Sequence, residues 1–353
     1  MITATYFPYV LEFKRPSGTS RGVLNTKESW FLVLSETGRQ GIGECGLLRG
    51  LSIDDRPDYE EKLQWVCENI QLGLTALLVE TLEFPSIQFG LEQAFLSLEA
   101  ISPFELFPSE FTRGRQSIPI NGLVWMGDKK WMQQQIKEKI AAGFSCIKMK
   151  IGAIDFKEEL ALLTAVRQQF SSKDIVLRVD ANGAFATENA LEKLRQLADL
   201  DMHSIEQPIK QGQEEAMARL CAETPLPIAL DEELLGVFST SDKEALLLKI
   251  KPQYIILKPS LIGGFQGTRS WIALAEKHQI GWWITSALES NIGLNAIAQF
   301  TATTANAIPQ GLGTGGLYTN NIPSPLTVKE GKLFYVVSKQ WPVDVVDFIQ
   351  HKK

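Results

Sequence analysis

Four short apolar segments of this chain each carry a charged residue near their end, and these residues recur at almost constant intervals. Asp180 lies in "LRVDAN", Glu206 in "SIEQP", Asp231 in "ALDEE" and Lys258 in "ILKPS". Successive members are 26, 25 and 27 residues apart. This is the length of one strand, one helix and their connections. The spacing therefore predicts consecutive strand–helix units whose strands end in charged side chains.

The same alternation of strands and helices extends from about residue 117 towards residue 319. Eight apolar segments are strand candidates, and they start roughly 25 to 30 residues apart, as βα units do. They are "SIPINGLV", "CIKMKI", "IVLRVDAN", "HSIEQPI", "IALDEE", "YIILKPS", "IGWWITSALES" and "ANAIPQGLG". Repeated units of this kind close into a parallel barrel, whose sites lie at the carboxyl ends of the strands. We therefore predict an α/β fold with a TIM-type (β/α)7–8 barrel.

The first hundred residues have a different pattern, which is typical of an α+β domain. "SWFLVLSETGRQGIGECG" predicts an antiparallel hairpin around "ETGRQG". "DYEEKLQWVCENI" and "PSIQFGLEQAFLSLEAI" have helical spacing. The predicted division is an α+β capping domain of residues 1–105, to which residues 320–353 return, and a catalytic barrel domain of residues 106–319.

The composition of the chain disfavours several classes of function. Its 353 residues carry a net charge of −6, so no nucleic-acid partner is expected, because phosphate backbones need a basic face. No apolar run approaches the ~20 residues of a membrane span, and the N-terminal "MITATYFPYVLEFKRP" does not resemble a signal peptide. The four cysteines form no CxxC pair, which predicts free thiols in the cytoplasm. Three histidines weaken any hypothesis of a His-ligated zinc site or a Ser-His-Asp triad.

Charged residues at the strand ends of a closed barrel converge on its mouth. Three carboxylates held there repel one another and lose water unless a cation joins them. Carboxylate, water and substrate oxygens suit an octahedral hard cation, so we predict that Asp180, Glu206 and Asp231 bind Mg²⁺, with Mn²⁺ as the alternative. Taken singly, each acid has a simpler explanation as a helix N-cap or a surface charge. Asp231 could begin an acidic helical turn with Glu232 and Glu233.

The strand candidate "CIKMKI" carries two lysines on one face. Side chains alternate along a strand, so Lys148 and Lys150 point the same way. Beside a divalent cation they would form an electropositive pocket, which lowers the pKa of a lysine and lets it act as a base. Lys258 would face them across the cavity. This arrangement predicts removal of a proton α to a substrate carboxylate, with the cation stabilising the enediolate. Protection of an edge strand is the simpler explanation of the lysine pair alone.

Five motifs in this order, "KMK", "DAN", "EQP", "DE" and "KPS", resemble the enolase superfamily, specifically its muconate-lactonizing subgroup. The resemblance covers nearly the whole chain, and it implies an enolase-like fold with a capping domain. It implies that the three carboxylates bind Mg²⁺ and that Lys150 is the general acid/base. Lys148 would polarise Lys150 and help to bind the substrate carboxylate. Lys258 would be the opposite lysine, a base in epimerases and a cationic stabiliser in dehydrating members.

The segments that carry these motifs also supply three expected substrate-binding residues, Arg178, Asn182 and Ser260. Arg178 lies two residues before Asp180 and hence on the same inward face. There it would tune Lys150 electrostatically. A structural ion pair inside the barrel is the alternative for Arg178.

Residues near the last strands indicate which reaction of the subgroup the chain supports. Dipeptide epimerases of the subgroup carry a D-x-D motif there, which binds the substrate ammonium, but Pro309–Asn321 contains no Asp or Glu. "SALESNIG" with "GLGTG" instead resembles the o-succinylbenzoate synthase members, which dehydrate a succinyl cyclohexadiene carboxylate to an aromatic acid in menaquinone synthesis. We expect substrate contacts from Ser286, Glu289, Gly311, Gly313 and Thr314, and backbone N–H groups that bind an anion.

Other functions stay open at this point. An N-acylamino acid racemase or a dipeptide epimerase of the same superfamily would use the same lysines and metal. A barrel that binds a ligand without catalysis is the alternative from a different class. Ser286 and Glu289 also have structural explanations, since a serine can satisfy a strand end and a glutamate can pair with a lysine. The expected partner is a small-molecule carboxylate.

The segment "RPSGTSRGVLNT", residues 15–26, predicts a mobile lid over the site. Its glycines, Gly18 and Gly22, and its polar side chains are typical of such loops. A plain surface hairpin is the alternative.

The segment "GLGTGG" matches the G-x-G-x-x-G fingerprint of dinucleotide sites. That fingerprint requires a helix directly after it, and Pro323 and Pro325 exclude one there. We therefore expect no nucleotide partner and no organic cofactor.

Overall fold

A three-stranded antiparallel sheet and three helices form the N-terminal part of the chain, in a computed structural model that describes residues 1–19 and 22–351. The strands are β1 (Thr3–Thr19), β2 (Gly22–Glu36) and β3 (Arg39–Gly46), in the order β1-β2-β3. The helices are α1 (Tyr59–Glu68), α2 (Gly73–Glu80) and α3 (Pro85–Glu99). The predicted hairpin and both predicted helices of this region are confirmed.

Glycines on β3 allow α3 to lie directly on the sheet. A Cβ atom on Gly43 would stand 1.9 Å from the carbonyl oxygen of Gly90, and one on Gly41 would stand 2.2 Å from that of Ala94. Any larger side chain at these positions would push the helix away. The close approach lets the buried face of β2, which includes Trp30, join α3 in one apolar core.

Seven parallel strands form the barrel wall, in the order β11-β10-β9-β8-β7-β6-β5. They are β5 (Gly122–Val124), β6 (Cys146–Lys150), β7 (Val176–Asp180), β8 (Ser204–Glu206), β9 (Ile228–Leu230), β10 (Tyr254–Leu257) and β11 (Gly281–Ile284). The helices between and after them are α4 (Lys129–Ala141), α5 (Phe156–Gln169), α6 (Thr187–Ala198), α7 (Glu214–Glu223), α8 (Thr240–Ile250), α9 (Gly264–Lys277) and α10 (Asn291–Ala302). The predicted barrel is confirmed.

Two of the eight strand candidates differ from the prediction. "SIPINGLV" divides into β5 and a separate strand, β4 (Ser117–Pro119), because β4 pairs outside the barrel. "ANAIPQGLG" forms no extended strand. Instead Gln310 makes a parallel bridge with Ile120, and Gly311 makes one with Thr285. These single bridges join the two edges of the seven-stranded sheet, so the eighth barrel position is held by a segment of two bridged residues.

The C-terminal segment contacts both parts of the molecule. Strands β12 (Leu326–Lys329) and β13 (Lys332–Tyr335) form a small sheet with β4, in the order β12-β13-β4. Helix α11 (Val345–His351) buries Val345 and Ile349 in a cluster with Tyr9 and Leu11 of β1. The chain thus ends against the N-terminal sheet.

The segment predicted to be a mobile lid is strand in its described part, with an irregular register between Glu12 and Ser17. Ser17 pairs with Leu24, and Gly18 pairs with Val23, so the β1–β2 hairpin continues to its tip. Residues 20 and 21 of this segment lie outside the described residues. Gly18 also bridges Met126 in an antiparallel manner. The segment is therefore a hairpin that lies against the barrel, as in the alternative, and not a loop; its mobility stays a prediction.

All four cysteines are unpaired, as predicted from their spacing. Across residues 1–19 and 22–351, no helix has both the length and the apolar character that a membrane crossing requires.

Candidate active site

The register of the parallel strands places three of the charged residues side by side. Lys150 on β6 is opposite Asp180 on β7, and Asp180 is opposite Glu206 on β8. Lys148 is opposite Arg178, two residues earlier on both strands. Because alternate side chains share a face, these residues all point into the barrel, at two different depths.

Two lysines link the three carboxylates into a continuous network. Lys148 Nζ donates hydrogen bonds to Asp180 Oδ2 at 3.1 Å and to Glu206 Oε2 at 2.6 Å. Lys258 Nζ donates to Asp231 Oδ2 and stands 3.7 Å from Glu206 Oε1. All three carboxylates are at most 3% exposed. The strand spacing therefore does bring these five residues together at one end of the barrel.

The pKa values of the network follow its charges. Burial lowers the pKa of Lys148, but Asp180 and Glu206 raise it by more, so it lies above the ordinary value. At Lys258, burial also lowers the pKa, but the charges of Asp231 and Glu206 raise it by more, to about 12. Both pKa values are raised because buried carboxylates surround the two ammonium groups. The lowering of a lysine pKa that is expected beside a bound Mg²⁺ stays a prediction.

Glu206 has one oxygen without a hydrogen-bond donor among the described residues. Its pKa is raised to about 7 by burial and by the charges of Asp180 and Asp231, although the charges of Lys148 and Lys258 lower it. Asp180 has the opposite shift: burial raises its pKa, but Lys148 and Lys150 lower it well below the usual range. Glu206 Oε1 is buried and accepts no hydrogen bond from any residue that the structure describes. An additional cation would relieve this site directly.

The donor set fits a hard divalent cation. Asp180, Glu206 and Asp231 all offer oxygen ligands, which Mg²⁺ prefers. Asp180 and Glu206 end β7 and β8, and Asp231 directly follows β9. Within the described ranges, no three or more acidic, histidine or cysteine side chains stand in a ready ligand arrangement. The two lysine ammonium groups stand between the carboxylates and account for this.

Asn182 holds the ammonium group of Lys150. Lys150 Nζ donates to Asn182 Oδ1 at 2.7 Å and to Asp180 Oδ2 at 2.9 Å. Asn182 Nδ2 in turn donates to Glu232 Oε1 at 3.1 Å. The backbone of Asn182 is left-handed, with φ of 43°, a conformation that asparagine tolerates better than most residues. Glu232 was not predicted as a site residue. It lies in the short helical turn Glu232–Leu234 that follows Asp231, so the expected acidic turn is present.

A cavity of about 290 Å³ opens at this end of the barrel. Nine of the predicted site residues line it: Lys148, Lys150, Asp180, Asn182, Lys258, Ser286, Gly311, Gly313 and Thr314. The β1–β2 hairpin contributes Gly22, Val23 and Leu24, and the loop after β3 contributes Leu48, Arg49 and Leu51. The cavity therefore lies between the N-terminal sheet and the barrel.

Arg178 does not line this cavity. Its guanidinium donates to the Pro309 carbonyl oxygen at 2.8 Å and lies 4.1 Å from the centre of the Trp283 ring. The side chain is 1% exposed and belongs to the deeper layer of the barrel. The structure therefore does not support Arg178 as a substrate-binding residue. Arg178 also forms no ion pair with any residue that the structure describes, so the structural ion pair that was the alternative is not found.

Glu289 and Ser260 are likewise removed from the cavity. Glu289 is completely buried, and its two oxygens accept hydrogen bonds from Ser260 Oγ at 2.5 Å and Ser286 Oγ at 2.6 Å. Burial raises the pKa of Glu289, against the charge of Lys27 and these two hydroxyls. The predicted substrate contacts of Glu289 and Ser260 are therefore not supported. Their role here is to hold Ser286 in the cavity wall.

The glycine-rich segment approaches β11 closely. The Gly311 N–H donates to the Ile284 carbonyl at 2.8 Å, so this amide completes the barrel and cannot bind an anion as expected. A Cβ atom on Gly311 would stand 2.4 Å from Thr285 Oγ1. The predicted absence of a dinucleotide-type helix is confirmed, since β12 is the next element in the chain. Gly313 and Thr314 do face the cavity.

Several lining residues had no signal in the sequence. Trp125 and Trp131 come from the connection after β5 and the start of α4, and Leu288 precedes α10. Arg15 of the hairpin lies 5.0 Å above the Trp131 ring. The two tryptophans and Leu288 are apolar residues at or between helix and strand ends, and only the three-dimensional path of the chain brings them to the mouth of the barrel.

Comparisons with known proteins identify the family. A model of the "Enolase C-terminal domain-like" family matches residues 131–337. An o-succinylbenzoate synthase from Desulfotalea psychrophila is 48% identical over 92% of this chain and 96% of its own length. The chain belongs to the enolase superfamily.

Solved structures of this superfamily share the fold. The crystal structure of MenC from Desulfotalea psychrophila LSv54 has a TM-score of 0.84 and 43% identity, and it covers 94% of this chain and 99% of its own. The muconate lactonizing enzyme from Pseudomonas fluorescens has a TM-score of 0.82 at 21% identity, over 99% of this chain and 98% of its own. The second likeness shows the fold alone. Enzymes of the enolase superfamily typically use a divalent metal ion.

Proposed function

We propose that this chain is an o-succinylbenzoate synthase, which converts 2-succinyl-6-hydroxy-2,4-cyclohexadiene-1-carboxylate to o-succinylbenzoate and water. The observation that carries the proposal is the 48% identity to a synthase of that name over nearly the full length of both chains. The role in menaquinone synthesis that the sequence resemblance implies follows from this activity, as does a place in the cytoplasm.

The geometry of the cavity supports proton transfer by lysine. Lys150 and Lys258 reach the same cavity from β6 and from the end of β10, on different parts of the barrel wall. A lysine amine takes the proton from C1, the ring carbon that carries the carboxylate. The electron pair of the broken C–H bond then forms the C1–C6 double bond of the aromatic ring. The C6–O bond breaks, and the departing hydroxyl receives a proton from a lysine ammonium and leaves as water. We assign both proton transfers to Lys150, with Lys258 as a cationic stabiliser and Lys148 as a contact of the substrate carboxylate.

The carboxylates prepare the site for these transfers. Asp180, Glu206 and Asp231 would bind Mg²⁺, which supplies stabilisation of the negative charge that develops on the substrate carboxylate. Asn182 accepts a hydrogen bond from Lys150 and so fixes the direction in which this ammonium points. The hairpin and the loop after β3 line the cavity opposite the barrel and reduce its exposure to bulk water.

The proposal is tested by an ultraviolet assay for the aromatic product. Wild-type protein with Mg²⁺ should form o-succinylbenzoate from the cyclohexadiene substrate. Lys150→Ala should reduce turnover by at least about 100-fold, the scale of lost general acid–base catalysis, and leave the circular dichroism spectrum unchanged. Lys173→Ala, which changes an exposed lysine, is the matched control. A wild-type protein that forms no aromatic product would refute the proposal.

A second candidate is an N-acylamino acid racemase, and the presence of lysines on two separate strands favours it, since a racemase needs a base on each face of the carbon. A panel of N-acylamino acids in deuterated water tests it. Exchange of the α-proton together with inversion would support this activity, whereas turnover of the cyclohexadiene substrate alone would exclude it. Dipeptide epimerisation is disfavoured, because Pro309–Asn321 offers no carboxylate for a substrate ammonium.

A further inference from the structure

A chain of hydrogen bonds connects the cavity to a buried carboxylate. Thr314 lines the cavity, and its Oγ1 lies 2.8 Å from Ser286 Oγ. Ser286 Oγ lies 2.6 Å from Glu289 Oε2. The backbone N–H of Leu288 also donates to Ser286 Oγ, at 3.0 Å. Each of these groups is at most 9% exposed, so most of their hydrogen-bonding capacity is met by protein groups.

The donor-to-acceptor direction of this hydrogen-bond chain is fixed by the number of hydrogen bonds that each group can donate and accept. A serine hydroxyl donates one hydrogen bond and accepts two. Ser286 accepts from the Leu288 amide, which can only donate, and it gives its proton to the Glu289 carboxylate, which can only accept. Its remaining lone pair must therefore accept the proton of Thr314. The Ser286 hydroxyl has no capacity left for a substrate, although its side chain lines the cavity.

The charge of Glu289 sets this direction. Its contacts with Ser260 and Ser286, at 2.5 and 2.6 Å, have the lengths of hydrogen bonds from hydroxyl groups to an ionised carboxylate. Burial raises the pKa of Glu289, and a cation from the N-terminal sheet opposes this shift, since Lys27 acts on Glu289 electrostatically and is itself almost fully buried. Both domains thus contribute to the polarity of the chain.

We propose that Thr314 is a specificity-determining residue that presents only hydrogen-bond acceptor lone pairs to the cavity, and that Glu289 is the positioning residue that imposes this polarity through Ser286. The matching substrate group is a hydrogen-bond donor. In the substrate of the proposed function, on which this inference rests, that donor is the C6 hydroxyl. The product lacks this group.

This contact has a consequence for the elimination. A hydroxyl whose proton is donated to Thr314 keeps the lone pairs of its oxygen free. A lysine ammonium can then protonate the oxygen as the C–O bond breaks, and the electron pair of that bond leaves with water. Thr314 therefore orients the leaving group without taking part in proton transfer to it.

The test compares a substrate that has the hydroxyl with a product that lacks it. Thr314→Val keeps the shape of the side chain and removes the acceptor. We expect kcat/KM for the cyclohexadiene substrate to fall about 3- to 10-fold, the scale of one neutral hydrogen bond. The Kd of o-succinylbenzoate, measured by isothermal titration calorimetry, should change less than twofold. Thr314→Ser is the matched control and should retain both values.

A double variant tests the role of Glu289. Glu289→Gln allows an amide N–H to face Ser286 and so releases the polarity of the chain. Because Glu289 acts through Thr314, the losses of Glu289→Gln and Thr314→Val should not multiply in the double variant. If Glu289→Gln does not fold, the Val and Ser variants of Thr314 decide alone.

Two results would overturn the inference: an unchanged kcat/KM in Thr314→Val, or an equal weakening of product binding, which a merely structural role would cause. Failure of the wild-type protein to form the aromatic product would instead refute the proposed function. The two failures are therefore distinguishable.

Discussion

A buried glutamate of the N-terminal sheet holds the two parts of the molecule together, and its removal should be costly. Glu44 on β3 is 0% exposed. Its carboxylate accepts hydrogen bonds from the Ser290 N–H at 2.9 Å, the Ser290 hydroxyl at 2.5 Å and the Gly293 N–H at 3.0 Å, at the start of barrel helix α10. Ser29 on β2 donates to it at 2.7 Å. A carboxylate of one domain thus caps a helix of the other.

The cation that balances Glu44 is also buried. Lys27 Nζ stands 3.8 Å from Glu44 Oε1, and its side chain is 1% exposed. Two unit charges at this distance attract by about 4 kcal/mol at an effective dielectric constant of ~20. Removal of one partner takes this attraction away from the other buried charge, and breaking a buried ion pair typically costs about 3–5 kcal/mol. Glu44→Gln and Lys27→Met, which keep the side-chain volumes, should each lower the free energy of unfolding by about this amount.

The double variant isolates the charge pair. Because Lys27→Met with Glu44→Gln removes both charges of this pair, it should be more stable than the sum of the single effects predicts, by at least about 2 kcal/mol. The measurement is urea unfolding followed by tryptophan fluorescence. Losses that add to within about 0.5 kcal/mol would refute the argument, since they would show that the two charges do not interact.

Three further outcomes are expected. Glu92 accepts hydrogen bonds from the Phe265 and Gln266 N–H groups at the start of α9, and burial raises its pKa to about 7. Because ionisation of this buried acid costs stability, the free energy of unfolding of Glu92→Gln relative to wild type should rise from pH 4.5 to pH 7 by up to about 3 kcal/mol and stay constant above pH 7. A difference in urea unfolding that does not depend on pH would contradict the burial argument. Gly311→Ala should lower the free energy of unfolding by about 1–3 kcal/mol through its clash with Thr285, and Thr285→Ala should restore part of the loss. Chelation with EDTA should abolish product formation reversibly but leave the circular dichroism spectrum unchanged, because lysines already balance the carboxylates in the absence of a metal.

The strand ends could be predicted from the sequence because parallel strands keep a constant period along the chain. Once Lys150, Asp180 and Glu206 are placed at the same point of successive units, the register follows, and with it their neighbourhood. Alternation along a strand shows that Arg178 points inward, but it does not show how deep it lies. That depth decides between a contact with the substrate and a contact with Trp283.

Hydrogen bonds between residues far apart in the sequence could not be predicted from sequence patterns. Glu289 was expected to contact the substrate because it lies in the same short motif as Ser286. Its burial depends on how α10 packs under Glu44, which is 245 positions earlier in the chain. The raised lysine pKa values were missed for a related reason. Spacing shows which charged residues meet, whereas the sign of a pKa shift depends on which of them are in contact.

The barrel and the N-terminal sheet contribute different groups to the site, and this indicates which part determines the choice of substrate. Every group assigned to proton transfer or metal binding lies on the barrel, on strands that the sheet hydrogen bonds hold rigidly. The N-terminal sheet contributes the cavity wall of Val23 and Leu24 and, through Lys27, the charge that acts on Glu289. A substitution in the hairpin can therefore change the shape and polarity of the cavity while the lysines and carboxylates stay in place. We expect such substitutions to alter KM and the preference among acids before they alter the removal of the α-proton.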